Sequence, residues 1–188
     1  MYANESGALF NALATIFACL VKQYALKQTA LEADWLLGAN LFVSGVKAKG
    51  IHSLAAPGTA YDDPALGKDP QPSNMNHYLK TAQDNGGVHI NSGIPGHAFY
   101  LTAVALGGYA WERAGRIWYE TLCDKRTKPN STFRDFAQLT ATHAQRLFGN
   151  KSAEADAIRH GWEVTGVRLG AASRSAKRAA AGHGKARV

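Results

Sequence analysis

One run of the chain concentrates the residues able to do chemistry: Asp84-Asn85-Gly86-Gly87-Val88-His89-Ile90-Asn91-Ser92-Gly93-Ile94-Pro95, leading into a helix expected to begin near His97 to Phe99. Paired glycines let the backbone bend sharply and approach another group closely. An imidazole displayed after such a bend, five residues beyond an acid, can be held in one tautomer by that carboxylate. A lone histidine more often has a structural role, so spacing alone leaves both readings open. The seven histidines, at 52, 77, 89, 97, 143, 160 and 183, include no pair four apart, the helical spacing that sets two imidazoles on one face around zinc. Cys19 and Cys123 are too few for a disulfide framework, and each lies in an apolar helical pattern that predicts a buried free thiol.

These residues need elements to position them. Leu9, Leu13, Ile16, Phe17, Leu20 and Tyr24 recur at intervals of three and four, which predicts a helix over 8–24 with one buried face. Residues 30–48 are expected to form a second, less regular helix around Trp35, Leu36 and Leu37. Residues 49–72, punctuated by Pro57-Gly58, Asp63-Pro64 and Asp69-Pro70, read as a long ordered loop. Helices follow over His97–Leu106, stopped by Gly107-Gly108, and around Trp111, Ala114, Trp118 and Leu122, with the two tryptophans in the core. Another helix, capped by Ser131 or Thr132, carries Phe133, Phe136 and Leu139 and ends at Gly149. The last is capped by Ser152, with Glu154 and Asp156 suiting its dipole. His143 and His160 are expected at surface or half-buried positions. The body is all-α.

Composition narrows the function classes. The 188 residues are 46% hydrophobic, enough for one domain with a real core, and the net charge of +7 raises nucleic acid or an anionic membrane as a partner. Six basic residues and no acid fall in 168–188, so residues 1–167 are close to neutral. That tail has almost no apolar bulk and is expected to be disordered. It has no aromatic residue to stack on bases, so a nucleic-acid partner is not expected. No uninterrupted apolar stretch approaches the ~18 residues of a membrane helix. The segment 8–21 has no basic region before it and no small-residue cleavage pattern after it, so no signal peptide is expected within this sequence.

The segment D-N-G-G-V-H-I-N-S-G-I-P-x-x-A-F-Y at 84–100 resembles the C-terminal domain signature of the thermolysin family of zinc metalloendopeptidases. Similar matches run through Tyr2-Ala3-Asn4-Glu5-Ser6-Gly7-Ala8-Leu9, Ala33-Asp34-Trp35-Leu36, Pro57-Gly58-Thr59-Ala60-Tyr61-Asp62-Asp63-Pro64 and Gly107-Gly108-Tyr109-Ala110-Trp111, ending at Gly166-Val167. The phrase Gly67-Lys68-Asp69-Pro70-Gln71-Pro72 is similar to the protealysin-like branch. The resemblance implies a helical C-terminal lobe over 1–167, one wall of a peptide cleft, followed by the basic tail at 168–188. It further implies that His89 stabilises an oxyanion, that Asp84 orients it and Tyr2 assists, and that Asn85 and His52 stand at substrate-binding positions.

The same resemblance exposes departures. In the family, a zinc ion and a glutamate activate water, and two ligands and that glutamate come from an H-E-x-x-H helix. This sequence has no H-E-x-x-H, which places it downstream of that helix and leaves any complementing lobe to another segment or chain. The third ligand is the glutamate of a G-A-[LI]-N-E-x-x-x-D pattern, and here Asn11 takes its place while Thr15 replaces the supporting aspartate. A neutral amide is a poor zinc ligand, so zinc is a cofactor of the family and not expected on this chain. Asn11 and Thr15 are expected to face solvent where the other lobe packs. His52 replaces an arginine that holds a substrate carbonyl. Lys22, Leu36 and Ala39 stand where calcium-binding relatives have carboxylates, which argues against calcium. Proteolysis of peptides or proteins, and secretion, follow from the resemblance alone. Two readings stand: a peptidase lobe inactive by itself, truncated or half of a split enzyme, and a non-catalytic module that binds a peptide, a missing lobe or itself.

Overall fold

The computed structural model describes residues 2–170, so the expected tail lies, from residue 171 on, outside the described residues. Six α-helices make the body: α1 Asn4–Leu26, α2 Asp84–Asn91, α3 Gly93–Leu106, α4 Ala114–Leu122, α5 Phe133–Phe148 and α6 Ala153–Val164. Two short antiparallel pairs lie between α1 and α2. They join β1 Leu36–Leu37 to β2 His52–Ser53, and β3 Asp62–Asp63 to β4 Gly67–Lys68. The all-α expectation holds, with these pairs stiffening the long loop.

Helix α1 runs longer than its apolar pattern predicted and buries Ala8, Leu9, Ala12, Leu13, Ile16, Cys19 and Leu20 against α2, α3 and α5. By length and composition it is also apolar enough to cross a membrane, contrary to expectation, yet here one face belongs to the core. Glu5 in its first turn accepts the N–H of Phe133 at 2.8 Å, joining the starts of α1 and α5. That N–H is one of the amides a helix start leaves unpaired.

The centre is aromatic. Trp118 and Trp162 stack with ring centroids 6.0 Å apart, and Phe99 meets Trp118 edge-on at 5.0 Å. Such pairs add about 0.5–1.5 kcal/mol beyond the area they bury. The Trp162 indole N–H donates to Thr140 Oγ1 at 2.9 Å, so the buried polar atom is satisfied. Helices α3 and α6 pack closely because residue 161 is glycine: a Cβ there would lie 2.6 Å from the Ala98 carbonyl oxygen. Thr132 caps α5 in a reciprocal box with Asp135, and Ser152 caps α6. Both caps, and the stop of α5 at Gly149, agree with the sequence.

Several expectations fail, each for a local reason. Residues 30–48 form turns and β1, because Trp35 has φ of 54° and the Asp34 carboxylate takes the Leu36 N–H, which stops a helix. Trp35 is still buried, its indole donating to the Ala30 carbonyl. Helix α3 begins at Gly93 rather than near His97. Cys19 is buried as expected, but Cys123, just past the end of α4, is exposed. Trp118 is core, whereas Trp111 is only half-buried and stacks on Tyr109 at 4.4 Å. His143 is buried rather than at the surface, its Nε2 donating to Asp124 at 2.7 Å. That contact ties α5 to the loop after α4.

Candidate functional site

The start of α2 is built around a backbone reversal. Asn85, Gly86 and Gly87 all have positive φ, at 50°, 85° and 78°. A Cβ on Gly87 would lie 2.5 Å from Asn91 Nδ2, so this bend requires glycine for space as well as for conformation. The reversal folds Asp84 back over the helix start. Its Oδ2 accepts the backbone N–H groups of His89 at 2.7 Å and Ile90 at 3.3 Å. Its Oδ1 accepts Nδ1–H of the His89 ring at 2.5 Å. Burial pushes the Asp84 carboxyl up, but the hydrogen bonds from His89 and Ile90 outweigh it and hold the group below the usual carboxylate range.

A carboxylate can only accept, so the His89 tautomer follows, with Nδ1 protonated and the Nε2 edge turned outward on a ring 58% exposed. Tyr2 sits beside it, ring centroids 6.4 Å apart and edge-on. Burial, and after it the Asp84 charge, push the Tyr2 phenol up, which keeps its hydroxyl protonated and able to donate. Asn85 is exposed at the turn itself. The chain therefore brings Tyr2, Asp84, Asn85 and His89 to one surface.

Across α1 from this group the chemistry changes. Asn11 is half-buried, its Nδ2 donating to Ser92 Oγ at 2.9 Å. Thr15, one turn on, is buried at 8% exposure and donates to the Asn11 carbonyl, which corrects the expectation that both face solvent. Its burial comes from β2, where His52 and Ser53 close over it beside Gln71 around a cavity of about 10 Å³. Burial pushes the His52 imidazole below its usual range, with Asp69 opposing, and its Nδ1 has no hydrogen-bond partner. Position 52 offers a neutral ring rather than a guanidinium fork.

Two participants escaped the sequence reading. Ser92 and Gln71 link Asn11 to the His89 backbone. Ser92 lies inside the quoted motif and Gln71 inside Asp69-Pro70-Gln71-Pro72, yet neither residue type announces chemistry. At the calcium-type position Lys22 donates to both Asp34 oxygens, at 2.7 and 2.6 Å, and to the Leu36 carbonyl at 3.4 Å. Its ammonium is the cation among those acceptors.

Residues 1–167 match the family described as thermolysin metallopeptidase, alpha-helical domain. An extracellular metalloprotease of Pectobacterium carotovorum is 53% identical over 169 residues, covering 90% of this chain and 48% of that protein. A thermolysin of Bacillus caldolyticus is 32% identical over 177 residues, covering 89% of this chain and 29% of that one. The solved precursor of protealysin from Serratia proteamaculans superposes with a TM-score of 0.87 at 54% identity, covering 89% of this chain and 52% of that chain. The chain thus spans about half the length of its Pectobacterium and Serratia relatives and under a third of the Bacillus thermolysin.

Proposed function

Since the chain belongs to the thermolysin metallopeptidase family, as its alpha-helical domain, we propose that it forms the helical wall of a peptide-binding cleft and does not hydrolyse peptide bonds by itself. The observation that carries this reading is the contrast across α1: an outward His89 held by Asp84, beside a ligand position filled by an amide already bound to Ser92. With Nδ1–H directed at Asp84, the Tyr2 hydroxyl is the donor that a peptide carbonyl meets, and the outward Nε2 edge of His89 joins it as a donor when Nε2 also carries a proton. Asn85 and His52 line its path, His52 supplying a ring where a guanidinium would clamp.

The family is a zinc peptidase family, and the ligand position does not fit zinc. Asn11 Nδ2 is a committed donor, position 15 carries no carboxylate, and no group of three or more His, Cys, Asp or Glu is placed to hold a metal among the described residues. Calcium fits no better where Lys22 supplies the positive charge.

A partner is implied by α1. Its outer face carries Phe10, Ala14, Ala18 and Val21 four, four and three residues apart, with Phe10 64% and Val21 70% exposed. A contiguous apolar face of this kind marks an interaction surface, here suited to an H-E-x-x-H lobe. The extracellular name of the Pectobacterium relative favours export.

The second reading, a binding module with no catalytic partner, is favoured by Asn11. A peptide with a hydrophobic residue, given to the chain alone, is expected to bind without cleavage; cleavage by the chain alone overturns the proposal. Adding an H-E-x-x-H lobe and zinc then separates the two readings, since cleavage favours the split peptidase and unchanged binding favours the module.

A further inference from the structure

Ser92 Oγ lies where α1, the loop before α2 and the end of α2 converge, and its hydrogen-bonding capacity is fully used. Its one proton goes to the His89 carbonyl oxygen at 2.8 Å. Its two lone pairs accept Asn11 Nδ2–H at 2.9 Å and Gln71 Nε2–H at 3.0 Å. Gln71 Nε2 donates its other proton to the same His89 carbonyl at 2.7 Å. The result is a closed ring of donors and acceptors around the backbone of the residue that carries the exposed imidazole.

This ring has a polarity. A carboxylate at position 11 is acceptor-only, and against Ser92 it would need the single proton that now holds the His89 carbonyl. The hub therefore requires a donor at 11, and an amide supplies one. Asn11 Oδ1 keeps no partner among the described residues. Thr15 extends the same neutrality: it spends its proton on the Asn11 carbonyl and shares with His52, Gln71 and Ser92 a cavity with room for about one water. Positions 11, 15 and 52, which the family resemblance expects to be charged, are uncharged in this chain: Asn11 bonds Ser92, Thr15 bonds the Asn11 backbone carbonyl, and His52 lines the same small cavity as Thr15.

We infer that Asn11 is a positioning residue of a zinc-free peptide site, acting through Ser92 and Gln71 to fix the turn that presents His89. The affinity part of this inference rests on the peptide-binding reading, whereas the positional part does not. Imidazole resonances of His89, recorded by NMR at one pH, report the positional part in the unaltered protein, Asn11→Ala, Asn11→Asp and Ser92→Ala. All three substitutions are expected to shift those resonances, Asn11→Asp more than Asn11→Ala because the carboxylate withdraws the Ser92 proton. Asn11→Ala combined with Ser92→Ala is expected to match Ser92→Ala alone, and peptide affinity is expected to fall about 2- to 10-fold in each, the scale of one hydrogen bond.

Unchanged His89 resonances in a folded Asn11→Ala protein overturn the inference. A variant that does not fold leaves the unaltered chain as the test, where the side-chain amide protons of Asn11 and Gln71 are expected to resist exchange; free exchange overturns it equally. Absence of peptide binding by an unaltered chain with protected amides overturns the peptide reading and supports the hub.

Discussion

The two sides of α1 teach different lessons about what a site needs. The Asp84–His89 turn is charged, open and set on a backbone reversal; the Asn11–Thr15–His52 neighbourhood is neutral and closed over a small cavity. On the first side geometry holds one reactive edge toward solvent. On the second, Asn11 Nδ2 and Thr15 Oγ1 are turned inward on neighbours, and the His52 Nδ1 is buried without one. On the proposed reading, a helical lobe keeps the groups that would meet a peptide carbonyl without the charge that would meet a metal.

Backbone substitutions sharpen this contrast most. Gly87→Ala is expected to cost about 1–3 kcal/mol from the left-handed backbone alone, with the clash against Asn91 added, and to abolish peptide binding. Gly96→Ala, on the neutral side, puts its methyl at an ordinary 3.6 Å from Leu54 and is expected to leave the melting temperature nearly unchanged. Thermal unfolding of the two proteins checks both. Equal losses would break the comparison.

Removing the charge comes next. Asp84→Ala strips acceptors from two backbone N–H groups and the His89 ring, with an expected loss of about 1.5–3 kcal/mol. The pH dependence follows from the lowered Asp84 carboxyl. A depressed folded-state value means that the turn's stabilisation is complete above the ordinary Asp value and lost as pH falls through the lower, folded one. Acid unfolding of the unaltered protein should show that loss, and Asp84→Asn should flatten it. A curve unchanged by Asp84→Asn would remove Asp84 as the organiser of the turn.

Smaller effects test the scaffold that both sides share. Thr132→Ala opens the capping box of α5 and is expected to cost about 1 kcal/mol by denaturant unfolding. The smallest is at Lys22: a chelator is expected to leave the melting temperature where it was, since an ammonium already neutralises Asp34. A fall on chelation would reveal a calcium requirement that Lys22 does not replace.

Much of this arrangement could be read from the sequence because it is local. The Asp84–His89 pair spans five residues and announces itself through the glycines between. The Thr132 and Ser152 caps and the stop at Gly149 are likewise short-range patterns. Trp35 misled because apolar spacing carries no record of its positive φ. The hub stayed hidden for a different reason: residues 11, 15, 52, 71 and 92 meet only through folding, so Asn11 looked like a bare loss until its partners were in place.

The central claim is that this lobe retains a peptide-facing imidazole without a metal ligand beside it. Zinc content of the purified chain after dialysis against metal-free buffer tests it most directly. Far less than one zinc per chain is the result expected with Asn11 and Thr15 in place and no H-E-x-x-H in the sequence, and retention of one equivalent would contradict it.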